Sequence, residues 1–250
     1  MIVCKSEREI DLMRKAGRIV ADALGIVREI AKKDVTTETL NTKLERYVLQ
    51  KDGIPVFKGY RGYPKSICAS INEEIVHGIP EQRKLCEGDI LSVDIGVEYC
   101  KYVADAAITV PIGDVSEEAE NLMNVCEKSL DKVIKTIRAN IKLSEVSRCI
   151  QNYVESKGFS VIRDYTGHGI GRNMHEDPQI PNYVSKELLK MDEILLQGMA
   201  LAIEPMICVG KYDTEVLGNR WTVVTKDRKL SAHFEHTIVI TENGADILTV

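Results

Sequence analysis

The chain has 250 residues, 44% of them apolar and 28% charged, which suits a globular protein with a substantial core and excludes a disordered one. Its formal net charge of −5 leaves no basic excess to neutralise phosphates, so nucleic acid is disfavoured as the main partner and no DNA contact is expected. No apolar run reaches membrane-spanning length, and the opening MIVCKSERE lacks a basic stretch followed by an apolar one, so neither a membrane partner nor a targeting segment is expected.

The seven cysteines are odd in number and contain no C-x-x-C pair, which reads as reduced thiols in a cytoplasmic protein. Six of the seven are expected to act as small buried hydrophobes.

Along the chain, Ser6 and Glu9 form an S-x-x-E capping box, and Ile10, Met13, Val20, Leu24, Val27 and Ala31 recur at helical spacing. A second helix opens near Thr37 and is stopped by Gly53 and Pro55. Between 59 and 109 the pattern turns to strands, with short apolar runs over 65–76, then strands over 90–97 and 102–110. Helical periodicity returns over 116–139 and 143–157. The remainder reads as strands and loops, with strands at 161–165, 199–207, 221–224 and 233–240. With no flexible linker and no low-complexity stretch, the expectation is one α+β domain spanning 1–250, whose order of helix pair, strands, helix pair, strands hints at two similar halves.

Two strands carry carboxylates where apolar residues are usual. In the first, Leu91, Val93, Ile95 and Val97 share one face, and Ser92, Asp94 and Gly96 share the other. In the second, Asp105 sits among Ala104, Ala106 and Ala107. A symmetric hairpin turning between Tyr99 and Cys100 would set Asp94 directly opposite Asp105, with Cβ atoms about 5 Å apart. Two like charges in that position call for a cation between them; the alternative is that both are solvated on an exposed face.

Further along, His168 stands in the glycine-rich loop Gly167-His168-Gly169-Ile170-Gly171, and His175 follows seven residues on. Glu204 and Glu235 sit at the edges of apolar runs. Singly, each is ordinarily a solvated or structural group. Together, four carboxylates and one imidazole suit two divalent cations, their four negative charges offsetting four positive ones. An oxygen-rich set favours Mn, Fe, Co or Zn in a working site over a cysteine-bound structural zinc, and the absence of H-E-x-x-H excludes a helix-borne zinc protease site.

These residues fall in segments that resemble type I methionine aminopeptidases over essentially the whole chain. The segments are GYPKSICASINEEIVHGIP over 62–80, GDILSVD over 88–94, Asp105, GHGIG over 167–171, HEDPQ over 175–179, IEPM over 203–206 and SAHFEHT over 231–237. The resemblance implies the pita-bread α+β fold, with two pseudo-symmetric halves enclosing the site. It implies metal ligands at Asp94, Asp105, His168, Glu204 and Glu235, with Asp105 and Glu235 shared by both ions. It also implies catalytic roles for His77, His175 and Glu204, with His77 and His175 binding substrate outside the metal set. Phe57, Tyr60, Tyr63, Cys68, Met174 and Trp221 then look like the methionine pocket. Ala104 and His233 depart from residues common in the family, Gly and Gln respectively, without removing a ligand. The 31 residues between Glu204 and Glu235 leave no room for the helical insertion of type II enzymes.

The implied chemistry is hydrolysis of the first peptide bond of new proteins when the second residue is small. A metal-bridging hydroxide attacks, Glu204 serves as general base and acid, and His175 donates to the oxyanion. The partners implied are N-terminal peptides of nascent proteins, with a ribosome contact as a further expectation, and the chain itself is expected to be a monomer. Two rival readings stay open at this point: a proline-specific peptidase of the same fold, which carries a large extra N-terminal domain, and a non-catalytic binding relative, which loses metal ligands.

Overall fold

The computed structural model describes residues 2–250. Helix α1 (Glu7–Ile30) begins as its sequence requires: the Ser6 backbone N–H and hydroxyl both donate to the Glu9 carboxylate, at 2.9 and 2.8 Å. Met13, Ala16, Gly17, Val20, Ala23, Leu24 and Val27 form its buried stripe. Gly17 is required by packing, because a Cβ there would lie 2.0 Å from the Leu248 carbonyl oxygen. Helix α2 (Thr37–Gln50) is capped by the Thr36 hydroxyl, which accepts the Thr39 N–H at 3.1 Å.

Strand β1 (Ile54–Pro55), a single 3₁₀ turn at Tyr60–Gly62, β2 (Cys68–Ile71) and β3 (Glu74–Val76) lead to the long hairpin of β4 (Ile90–Tyr99) and β5 (Tyr102–Pro111). After it come α3 (Glu117–Ile134) and α4 (Leu143–Ser156). The rest of the chain runs through β6 (Ser160–Val161), β7 (Thr166–Gly169), β8 (Glu176–Pro181), a short α5 (Lys186–Lys190), β9 (Ala200–Ile203) and β10 (Met206–Cys208). It ends with β11 (Thr214–Val216), β12 (Val223–Thr225), β13 (Ser231–His233), β14 (Glu235–Ile240) and β15 (Ala245–Ile247).

One antiparallel sheet joins both halves in the order β1-β4-β5-β14-β9-β7-β8, with β2 also on β4 and β15 on β14. Helix α1 lies across β4 and β5, while α3 packs on β10, β13 and β5 and α4 packs on α3. The alternation read from β4 holds. Leu91, Val93, Ile95 and Val97 join Ile19, Val20 and Leu24 in the main core, as do Ala106, Ile108 and Val110 of β5. Ser92, Asp94 and Gly96 are left for the opposite face.

Several expectations need correction. The hairpin does not turn between Tyr99 and Cys100. Its two-residue turn is Cys100-Lys101, with φ of 50° and 69°, closed by the pair Tyr99↔Tyr102. Asp94 is therefore paired with Ala107, and Asp105 with Gly96. The two carboxylates are diagonal neighbours, and because the register moved by an even step they still share one face.

The GHGIG segment is not a loop at its start. His168 lies within β7, between β8 and β9, and the glycines serve close strand packing. A Cβ on Gly167 would meet the Ala202 carbonyl oxygen at 2.5 Å, and one on Gly169 the Asp177 carbonyl oxygen at 2.1 Å. Helix α3 stops at Ile134, short of 139, and Trp221 and residues 162–165 lie outside strands. Helix α5 was not foreseen. Three cysteines, Cys4, Cys86 and Cys100, are exposed, so fewer than six act as buried hydrophobes. Cys100 is outside because it sits in the hairpin turn.

Candidate metal centre and adjoining pocket

The five expected ligand residues arrive from separate elements and meet on the face of the sheet opposite the main core. Asp94 comes from β4, Asp105 from β5 and His168 from β7. Glu204 follows the last residue of β9, and Glu235 opens β14. His168 Nδ1–H donates to the Gly169 carbonyl at 2.8 Å, which leaves the Nε2 lone pair facing the carboxylates. That Nε2 lies 3.5 Å from both Asp105 Oδ2 and Glu204 Oε1. Ligand atoms of Asp105, His168 and Glu235 all fall within 4.8 Å of one another. The Thr237 hydroxyl donates to Asp105 Oδ1 at 2.9 Å, and Asn182 Nδ2 holds the Glu204 backbone carbonyl at 3.0 Å.

The electrostatics are those of a site built around positive charge. Burial, and then the neighbouring Asp105, drive Asp94, Glu204 and Glu235 well above the usual carboxylate range. Burial pushes Asp105 up to about 6, against the lowering effect of its Thr237 hydrogen bond. Among the described residues no lysine or arginine pairs with any of the four, and Asp94 Oδ1 and Glu235 Oε1 are buried without a hydrogen-bond partner. Unpaired buried carboxylate oxygens converging beside a lone-pair-bearing imidazole fit divalent cations.

These five residues floor a cavity of about 200 Å³ that also contains every other residue singled out from sequence: Phe57, Tyr60, Tyr63, Cys68, His77, Met174, His175 and Trp221. Tyr63 spends its hydroxyl on the Ile67 and Gly78 carbonyls, at 3.0 and 2.9 Å, and offers its ring edge-on to Trp221 at 5.1 Å. His77 stands edge-on to Tyr165 at 5.7 Å and Trp221 at 6.4 Å. Its backbone is left-handed, at φ 60°. The following Gly78 is pressed against β2, where a Cβ would meet the Ala69 carbonyl oxygen at 2.3 Å. Desolvation holds both His77 and His175 down at about 4, so both are neutral near pH 7. Burial keeps the Cys68 thiol far above its ordinary range, with Asp94 adding to the effect, so it stays protonated beside the metal set.

Sequence reasoning gave no role to several residues that are here. His233 is buried, with its Nε2 unpartnered and 3.9 Å from Glu204 Oε2 and 4.0 Å from Glu235 Oε2. Tyr165, Met206 and Arg61 also line the cavity. The period-two signal was available for two of these positions. His233 stands two residues from Glu235, and Met206 stands two residues from Glu204.

Residues 11–242 match metallopeptidase family M24. The chain is 47% identical to methionine aminopeptidase 1 of Bacillus subtilis (strain 168), covering 100% of this chain and 99% of the relative. The crystal structure of methionine aminopeptidase from Thermotoga maritima superposes with a TM-score of 0.96 at 48% identity, covering 100% of this chain and 99% of that one. Prolidase from Pyrococcus furiosus shares the fold at a TM-score of 0.79. It is only 20% identical, and the match covers 99% of this chain and 65% of that one. Relatives of such identity along the full length place the chain on one branch of the fold: it belongs to the methionine aminopeptidases of metallopeptidase family M24.

Proposed function

We propose that this chain removes the N-terminal methionine of newly made proteins whose second residue is small, using two divalent cations held by Asp94, Asp105, His168, Glu204 and Glu235. The observation that carries this reading is the meeting of four carboxylates and one imidazole at the floor of an apolar pocket. Two cations would balance the charge of those four carboxylates, and Asp105, whose charge acts on the other three, would with Glu235 be held in common by both ions. The donor set of oxygens and one imidazole, with the nearby thiol protonated, supports Co, Mn, Fe or Zn. When bound, divalent cations supply Lewis acidity, which makes water nucleophilic near neutral pH.

The chain's own groups do the rest. Glu204 takes the proton of the attacking water and passes it to the leaving amine. His175, neutral and facing the site, donates an N–H to the scissile carbonyl as negative charge develops there. His77 hydrogen-bonds beside the amide. Phe57, Tyr60, Tyr63, Cys68, Met174 and Trp221 surround the unbranched thioether, and sulfur–aromatic contacts add about 0.3–1.5 kcal/mol. Gly96 makes this wall possible: a Cβ there would lie 2.8 Å from Phe57 Cε1 and 3.3 Å from Met174 Sδ.

The thirteen residues are drawn from segments between Phe57 and Glu235 that meet at one cavity, which supports a single catalytic unit over 1–250. Seven free thiols, three of them exposed, support a reducing, cytoplasmic setting.

The test compares cleavage of Met-Ala-Ser with cleavage of Ala-Pro peptides, before and after chelation and with Mn or Co restored. Metal-dependent release of methionine is expected. Full activity after chelation, or preference for Ala-Pro, sinks the reading.

A further inference from the structure

We infer that Tyr60 is a positioning residue for the reaction: its phenol hydroxyl donates to His175 Nδ1 and holds that imidazole as the tautomer whose N–H sits on Nε2. The inference rests on the reading of His175 as the donor to the substrate carbonyl, and it goes beyond the role of Tyr60 as pocket wall.

The Tyr60 hydroxyl lies 2.8 Å from His175 Nδ1, and the two rings stack with centroids 5.3 Å apart and planes at 28°. Phenylalanine would line the cavity and stack equally well, so the hydroxyl is the feature that needs a purpose. The loop that carries it is fixed. Tyr60 N–H donates to the Phe57 carbonyl at 3.0 Å, and Tyr63 N–H donates to the Tyr60 carbonyl at 2.9 Å. Gly59 enters the turn at φ 90°.

Near neutral pH an imidazole carries one N–H, on either nitrogen, and the bond made by one nitrogen decides what the other offers. If Nδ1 donated to the phenol, Nε2 would present a lone pair and could not stabilise an oxyanion. Two features favour the opposite arrangement. The Arg61 guanidinium lies 5.4 Å from the centre of the Tyr60 ring, and a nearby cation strengthens a phenol as donor. The far side of the imidazole faces the cavity where the scissile carbonyl would lie, with the His168 ring 4.3 Å away. Negative charge developing on that carbonyl favours an N–H on Nε2 over a lone pair.

The experiment is Tyr60→Phe, read two ways. In ¹⁵N-histidine NMR of the wild type, the signals lost in His175→Gln identify His175 among five histidines and should show the Nε2–H tautomer. In Tyr60→Phe they should show a mixture of tautomers. On Met-Ala-Ser, kcat should fall roughly three- to tenfold, the equivalent of one hydrogen bond, with KM changed by less than about twofold. An Nδ1–H tautomer in the wild type overturns the inference. So does a variant that keeps both its tautomer and its kcat, or one in which KM alone rises, which would leave Tyr60 a wall residue only. A wild type that cleaves no methionyl peptide sinks the functional reading instead, and the tautomer result then still decides the Tyr60–His175 assignment.

Discussion

Thr237 and Asp105 are joined by three contacts through one hydroxyl. The Thr237 Oγ1 lies 2.9 Å from Asp105 Oδ1 and 2.8 Å from the Asp105 carbonyl oxygen, and it accepts the Asp105 N–H at 3.0 Å. β14 thereby sets the side chain and the backbone of a residue on β5. Thr237→Val keeps the shape and removes all three contacts. Divalent-metal affinity should fall about 10–100-fold, as when an outer partner of a metal ligand is lost. Unfolding stability should fall by about 1–3 kcal/mol, since a buried N–H loses its partner. Calorimetric metal titration and denaturant unfolding measure both; unchanged metal affinity would remove Thr237 from the site's support.

His77 and His175 are assigned to the substrate and His168 to metal. His175→Ala and His77→Ala should each lower kcat by at least about tenfold, toward the 10²–10³ typical of a lost oxyanion donor, while still binding metal. His168→Ala should lose a metal ion. If calorimetry finds the metal lost in His175→Ala and kept in His168→Ala, the two histidines have exchanged roles.

Gly96 lies on the face of β4 that carries Asp94, where a Cβ would stand 2.6 Å from Val56 Cγ2 and 2.8 Å from Phe57 Cε1. Gly96→Ala should cost about 1–3 kcal/mol through overpacking. The displaced Phe57 ring should narrow the methionine pocket and raise KM for methionyl peptides, with metal binding intact. A variant of wild-type KM and stability would mean that the Val56–Phe57 segment gives way freely.

Glu9 links the start of α1 to β5. It accepts the Tyr102 O–H at 2.6 Å and both Ser6 donors, and these bonds, Tyr102 first, hold its carboxyl down at about 2. A depressed folded-state value means that stability is present above the unfolded value of about 4.5 and is lost as pH falls toward 2. Glu9→Gln should therefore melt below wild type at pH 6–7, with the gap closing as pH drops below about 4.5. A gap independent of pH between 3 and 7 would assign the effect to lost packing.

The sequence by itself determined whatever depends on the chain's own local geometry. Helical spacing and the Ser6–Glu9 box marked α1, and alternation along 91–97 put Asp94 on the face away from the core. Spacing and segment identity were enough to gather the five acidic and imidazole positions and the pocket residues before any contact was visible. The tertiary structure decided everything that depends on how distant strands approach. The hairpin register rests on the left-handed pair Cys100-Lys101, a backbone choice that neither residue type announces. The glycines beside His168 proved to be spacers between strands, because their neighbours are carbonyls from Ala202 and Asp177. His233 aims an unpartnered nitrogen at Glu204 only because β13 pairs with β10. Thr237 meets Asp105 across 132 residues and Tyr60 meets His175 across 115. Hydrogen bonds form over about 3 Å, and no periodicity along a chain records which distant atoms folding brings that close.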